Sequence, residues 1–398
     1  MNPDLARLQP YPFEKLASIK RGIIPPASLQ HIALSVGEPK HPTPQIISEA
    51  LLEHLHGLGQ YPTTRGIVGL SESIANWLSQ RFAIASDKIN PATHVLPVSG
   101  TREALFSFAQ CIVERNKNSL VAMPNPFYQI YEGAALLAGA TPFFINCAEQ
   151  NDYLPDYDAV DDSTWERCQL LYICNPGNPS GATHSAQQLE QLIELAHRFD
   201  FIIAADECYS EIYDEQQAKP LGLLEISERS GNPDFSRCVV FHSLSKRSNA
   251  PGLRSGFVAG DAKVLKSYFS YRTYHGCTMP VPTQHASIAA WNDETHVSHN
   301  RVLYAQKFND VMTILANSLE LKKPDAGFYL WAKTPISDIE FAAKLFEQQH
   351  ITVLPGQYLS RETANGNPGQ NHVRMALVAP VEECSEAAHR IKQFITTL

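Results

Sequence analysis

The residues best placed to do chemistry lie in one run, Ser243-Leu244-Ser245-Lys246-Arg247-Ser248-Asn249-Ala250-Pro251-Gly252-Leu253-Arg254-Ser255-Gly256. Directly before it stands an apolar stretch, Cys238-Val239-Val240-Phe241, which reads as a buried parallel strand. A lysine just past the carboxyl end of such a strand sits where open α/β sheets place their ligands. The nearby serines, with Arg254 further on, supply groups that would hold a phosphate. A lysine beside a phosphate cradle suits either nucleotide binding or a Schiff base to pyridoxal phosphate. Taken alone it is equally well an ordinary solvated lysine.

Three further clusters follow apolar runs. Ser99-Gly100-Thr101 stands at a helix start, where exposed amides make an anion site or a plain N-cap. Asn175-Pro176-Gly177-Asn178-Pro179-Ser180-Gly181 holds two Asn-Pro steps, which fix an extended, turned backbone and can aim an asparagine amide at a ligand. Asp206-Glu207-Cys208-Tyr209 ends an apolar strand, so Asp206 is half buried and needs a cationic partner. That partner is either a structural arginine or a protonated pyridine nitrogen. The chain contains no Gly-x-Gly-x-x-Gly, Walker loop, His-Glu-x-x-His or Gly-x-Ser-x-Gly, and no metal site is expected.

The elements that must position these clusters alternate through the middle of the chain. Strand-like runs at 95–98, 120–123, 170–174, 201–205 and 238–241 are separated by helix-like segments such as 104–113 and 186–199. This alternation predicts an α/β fold, a mostly parallel sheet covered by helices on both faces. Residues 1–45 are proline-rich and read as irregular, and from about 290 helices mix with short strands at 327–331 and 372–375. The expectation is a large domain over 46–288 and a smaller α+β domain built from 1–45 and 289–398, with a mobile loop at 361–370. Of 398 residues 44% are hydrophobic and 18% charged, with a net charge of −9 and no basic block, so nucleic acid is not an expected partner. The eight cysteines form no Cys-x-x-Cys pair and read as buried, reduced thiols. With no apolar run near the ~20 residues of a membrane span, the expected location is cytoplasmic and away from membranes.

In order, these pieces resemble the fold-type I, class I pyridoxal-phosphate aminotransferases. The resemblance rests on Leu34-Ser35-Val36-Gly37-Glu38-Pro39, Tyr61-Pro62-Thr63-Thr64-Arg65-Gly66, Ser99 to Leu105, Asn125-Pro126-Phe127-Tyr128, Asn175 to Gly181, Asp206 to Tyr209, Ser243 to Gly256, and Arg374. It implies a seven-stranded sheet in the large domain. It further implies that Lys246 carries the cofactor as a Schiff base and shuttles the proton, while Asp206 pairs with the pyridinium nitrogen. By the same resemblance Asn178 and Tyr209 bond the ring oxygen, and Tyr128 stacks on the ring. Ser243, Ser245, Arg254 and the Gly100-Thr101-Arg102 turn hold the phosphate. Arg374 takes the substrate α-carboxylate beside Gly37, and Tyr61 reaches a neighbouring subunit's phosphate, which implies a homodimer with shared sites. One departure, Leu70-Ser71-Glu72 where the family has Leu-Arg-Glu, is read as surface variation.

The runs 8–16, Gly37 to Pro44 and Ser245 to Gly256 further resemble the N-succinyldiaminopimelate aminotransferase subgroup. That resemblance implies ping-pong amino transfer between N-succinyl-LL-2,6-diaminopimelate and 2-oxoglutarate in lysine synthesis. The rival readings are an aspartate, aromatic or kynurenine transaminase, or a carbon–sulfur lyase, on the same scaffold. A transcription regulator would place a basic segment ahead of the domain, and the resemblance already starts near Leu8. Arg21, Lys40 and Arg272 are candidate readers of the substrate's distal carboxylate.

Overall fold

The computed structural model describes residues 1–115 and 117–398. Its centre is a seven-stranded sheet made of β1 (Val95–Val98), β2 (Leu120–Asn125), β3 (Thr141–Asn146), β4 (Cys168–Cys174), β5 (Ile202–Asp206), β6 (Cys238–Ser243) and β7 (Gly256–Gly260). The spatial order is β1-β7-β6-β5-β4-β2-β3, and only β7 runs antiparallel to its neighbours. The strands other than the edge strand β3 are mostly apolar and buried because both faces are covered. Along β4, Leu171 and Ile173 enter one core with the helices Val68–Phe82 and Ala186–Phe199. Leu170 and Tyr172 enter the other, with the helices Thr101–Ile112 and Gln129–Ala138. The helix Ala186–Phe199 has the bounds expected from sequence, because Ser185 and Gln188 form a reciprocal cap at its start.

A second sheet is antiparallel, with β8 (Glu320–Leu321), β9 (Tyr329–Lys333), β10 (Leu354–Pro355) and β11 (His372–Ala376) in the order β10-β11-β9-β8. Ile32–Ala33 pairs in parallel with Ile351–Thr352, so the N-terminal segment joins the core of the C-terminal elements. No helix among the described residues is long and apolar enough to cross a membrane.

The structure corrects four details. Residues 12–19 form a helix, not irregular chain, with Pro12 in the first turn, where its missing N–H costs nothing. Ser71 is 6% exposed, so the departure at 70–72 lies inside the molecule, where the small serine fits on a helix face packed into the core. The 361–370 loop is irregular but fastened, with the Arg361 guanidinium on Glu132 and its backbone N–H and C=O both bonded to Asn125. All eight thiols are free, yet Cys277 is exposed.

One buried ion network joins the two sheets' helices. Glu211 receives Arg81 Nε at 2.5 Å and Arg301 Nη2 at 2.7 Å, from the helices Val68–Phe82 and Thr295–Leu315. Burial raises the Glu211 carboxyl's pKa, but the two guanidiniums outweigh it and hold it below its ordinary range. Removing the charge leaves, among the described residues, buried Arg81 with no carboxylate and Arg301 with only Glu215 at the surface, so Glu211→Gln is expected to destabilise the fold by about 3–5 kcal/mol. Denaturant unfolding measures the loss, and a change under ~1 kcal/mol would mean the network is solvated.

Candidate active site

β5 lies between β4 and β6 with Cys174 opposite Asp206 and Asp206 opposite Phe241, so three strands end side by side. The Asn175–Gly181 loop, Asp206–Tyr209 and Ser243–Lys246 therefore leave the sheet at one edge, facing a cavity of about 410 Å³ that opens to solvent. Of the residues expected from sequence, Gly37, Thr101, Arg102, Tyr128, Asn178, Asp206, Tyr209, Ser243, Ser245, Lys246, Arg254 and Arg374 line it.

Ser243 caps the short helix Leu244–Arg247, its Oγ accepting from the Ser245 N–H at 3.1 Å. Neighbours on that turn face opposite ways. The Arg247 guanidinium is buried between the Trp77 and Trp291 rings and donates to Ala290 O at 2.7 Å and to Glu294. Lys246 then points into the cavity, donating to the Gly37 carbonyl above the Phe328 ring. Burial lowers its pKa to about 8, so roughly a tenth of the amine is uncharged at pH 7 and most of it only above pH 8.

Asp206 is 5% exposed. Its oxygens accept from the Tyr131 hydroxyl at 2.7 Å and the Cys208 N–H at 3.3 Å, and burial raises its pKa. The sequence predicts a cationic partner, yet among the described residues no lysine or arginine pairs with it. Tyr209 meets the Tyr329 hydroxyl at 3.1 Å, and burial above all keeps its phenol protonated. Arg374, on β11, donates to Asn178 Oδ1 at 3.0 Å and to Ser35 O at 2.9 Å. Its Nε is buried without a partner, and among the described residues no carboxylate pairs with it.

At the opposite end Gly100 has φ +93° and opens the helix Thr101–Ile112. The positive φ favours glycine there, and a Cβ would also press on the Arg254 guanidinium. Arg254 pairs with Glu103 at 2.8 Å, and the Ser243 and Ser245 hydroxyls are 2.9 Å apart. A helix N-terminus, two hydroxyls and a guanidinium converge there, which suits a phosphate. Above the cavity Arg102 Nε donates to the Tyr128 hydroxyl at 2.8 Å, and Nη2 to Tyr11 at 3.3 Å.

Tyr61 lies outside this cavity and is 99% exposed. The three distal candidates also lie elsewhere. Arg21 is a surface residue, Lys40 pairs with Glu383, and Arg272 is buried on the Pro97 and Cys277 carbonyls. Sequence reasoning missed Tyr131 and Tyr329. Tyr131 stands one helical turn past Tyr128, and Tyr329 alternates with Leu330 and Ala332, which face the core. Those periodicities were readable signals.

The donor set fits pyridoxal phosphate. A buried amine, a buried carboxylate without a cation and a phosphate cradle are the groups its aldehyde, ring nitrogen and phosphate need.

Comparison with known proteins agrees. The sequence model described as aminotransferase class I and II matches residues 30–391. An LL-diaminopimelate aminotransferase of Nitratidesulfovibrio vulgaris (strain DSM 19637 / Miyazaki F) is 31% identical over 395 residues, 97% of each chain. The crystal structure of an aminotransferase from Neisseria meningitidis Z2491 is 46% identical with a TM-score of 0.93, covering 98% of this chain and 99% of that one. A probable N-succinyldiaminopimelate aminotransferase from Thermus thermophilus is 26% identical with a TM-score of 0.85, covering 96% and 100%. This chain belongs to the class I and II aminotransferases, pyridoxal-phosphate enzymes that exchange amino groups between amino acids and 2-oxo acids.

Proposed function

We propose that the chain transfers the amino group of N-succinyl-LL-2,6-diaminopimelate to 2-oxoglutarate, giving N-succinyl-2-amino-6-oxopimelate and glutamate. The observation that carries the chemistry is that half-buried Lys246 and buried Asp206 and Arg374 surround one cavity with no opposite charge bonded to any of them among the described residues. Each is left with a free valence for a ligand group.

When bound, pyridoxal phosphate supplies an aldehyde that takes up the amine and a ring that draws electrons from the neighbouring carbon. Lys246 holds that aldehyde, then moves the proton at the substrate's Cα. Asp206, fixed by Tyr131, keeps the ring nitrogen protonated. Tyr209 and the Asn178 amide donate to the ring oxygen, and Tyr128 covers one face. Ser243, Ser245, Arg254 and the amides of Gly100, Thr101 and Arg102 hold the phosphate. Arg374 grips the α-carboxylate as a fork beside the Gly37 backbone.

The distal end is assigned to Arg102, whose guanidinium is held by two phenols and no carboxylate among the described residues. It suits the carboxylate of 2-oxoglutarate and of a succinyl arm. The subgroup runs and the Thermus thermophilus neighbour support the succinylated substrate. Unmodified LL-diaminopimelate is the second reading, supported by the names of relatives near 31% identity. Its distal ammonium would suit Glu38, an exposed cavity carboxylate.

The enzyme is further proposed to be a cytoplasmic homodimer with shared sites. Leu52, Leu55, Leu58, Tyr61 and Val68, all exposed, fall in one short stretch of chain, which supports a second copy there. The domains are proposed at 46–288 and at 1–45 with 289–398.

Three outcomes are expected. Attachment of pyridoxal phosphate to the apoenzyme quickens as pH rises and levels off above about pH 8, where Lys246 becomes uncharged. Borohydride reduction then puts the cofactor's mass on the Lys246 peptide, and a label on another lysine overturns the assignment. Second, neither Tyr61→Ala nor Lys246→Ala is active alone, but mixed dimers regain part of the activity because one site per dimer is intact. A lack of recovery in verified heterodimers rules out Tyr61 crossing the interface. Third, in a donor panel with 2-oxoglutarate the succinylated substrate has the highest kcat/KM. Arg374→Lys weakens every amino acid alike, since lysine lacks the planar fork. Arg102→Ala weakens the dicarboxylates by about tenfold and spares alanine. A higher kcat/KM for LL-diaminopimelate selects the second reading.

A further inference from the structure

Tyr329 is the first residue of β9, and its side chain meets three groups of the site at once. Its hydroxyl is 3.1 Å from the Tyr209 hydroxyl. Its ring lies 4.3 Å under the Arg374 guanidinium carbon. A Cβ at Gly37 would overlap its phenol oxygen, so Tyr329 is also what restricts position 37 to glycine. It is 4% exposed and lines the cavity.

We infer that Tyr329 is a positioning residue that directs the Tyr209 proton into the cavity and fixes the plane of the Arg374 fork. The inference rests on the site reading given above. A hydroxyl has one proton and two acceptor positions. Tyr209 can donate to a ligand oxygen only if Tyr329 donates to Tyr209, so the pair has one productive direction. Burial keeps Tyr209 a protonated donor. The Tyr329 ring adds a second constraint. Arg374 is already bonded to Asn178 and Ser35 through its two terminal nitrogens. Stacking on the ring stops the guanidinium tilting about those bonds, and leaves the partnerless Nε in a fixed direction.

The two roles separate by substitution. Tyr329→Phe removes the hydroxyl and keeps the ring, whereas Tyr329→Leu removes both. A hydrogen bond donated to the ring oxygen stabilises its ionised form, so loosening that bond raises the pH midpoint of the cofactor's visible absorbance. For Tyr329→Phe the midpoint is expected to rise by about half a unit, with KM for L-glutamate within about twofold of wild type. For Tyr329→Leu the same rise is joined by an increase of about tenfold in KM. The absorbance titration needs only pyridoxal phosphate, so it does not depend on the substrate assignment. Phenylalanine is nearly isosteric, so it decides the hydroxyl role even if the leucine variant does not fold. An unmoved midpoint in Tyr329→Phe overturns the inference. So does a KM in folded Tyr329→Leu equal to that of Tyr329→Phe. Neither result touches the labelling of Lys246, whose failure would instead remove the site reading itself.

Discussion

A carboxylate taken out of water without a cation costs several kcal/mol, and Asp206 is held in that state at the end of β5. Its neighbours reduce the cost without cancelling it. Tyr131 and the Cys208 amide give it two hydrogen bonds, while burial still raises its pKa. Lys246 and Arg374 stand nearby in the mirror condition, as basic groups facing the same cavity with hydrogen-bond acceptors but no carboxylate among the described residues. A ligand with a protonated ring nitrogen, an aldehyde and a substrate carboxylate satisfies all three. The apoprotein is thus strained electrostatically in a pattern complementary to its ligands, which is how preorganised sites bind charge.

Such a site needs a frame that resists collapse. The strands bearing Asp206 and Lys246 are covered on both faces, and the buried guanidiniums of Arg81, Arg247 and Arg301 are paired with carboxylates. Arg247 is the clearest contrast with Lys246. It sits one residue on, yet two indole rings and Glu294 enclose it. Glu211 does the same for Arg81 and Arg301, joining elements from opposite parts of the chain. These ions are neutralised internally and so do not compete for the groups that face the cavity.

How much of this is legible in the sequence depends on distance along the chain. Lys246, Asp206 and Asn178 each follow an apolar run that ends abruptly, so strand and strand-end group were both readable. β3 and β7 were missed. β3 carries Pro142 and a half-exposed face, and β7 is a short Gly-Phe-Val-Ala-Gly run without strand punctuation. Ser71 was misplaced because a single sequence does not reveal which face of a helix is inward at a polar position. Tyr329, Tyr131 and the Arg102–Tyr11 pair depend on contacts between residues 75 to 120 positions apart. Local periodicity places Tyr131 and Tyr329 on a face, but no local pattern names the group each one meets, since that arises only when distant elements come together.

The same contrast of bonded and unbonded cations bears on substrate choice. An amino-exchanging site must accept a short and a long partner in turn, with the α-carboxylate always in one place. Arg374 suits the invariant end, because Asn178, Ser35 and Tyr329 hold it on three sides. The distal end needs a cation that can change its reach. Arg254 is poorly suited, since leaving Glu103 would break an ion pair. Arg102 has only two phenolic partners to give up, Tyr128 and Tyr11, and its side chain begins at the exposed start of a helix. A guanidinium bonds a neutral phenol less strongly than it bonds a carboxylate, so a substrate carboxylate can outcompete the two phenols, and the guanidinium can meet it nearer or further from the ring. Length tolerance in the proposed function then follows from how weakly one arginine is held, and stereochemical fidelity from how firmly the other is.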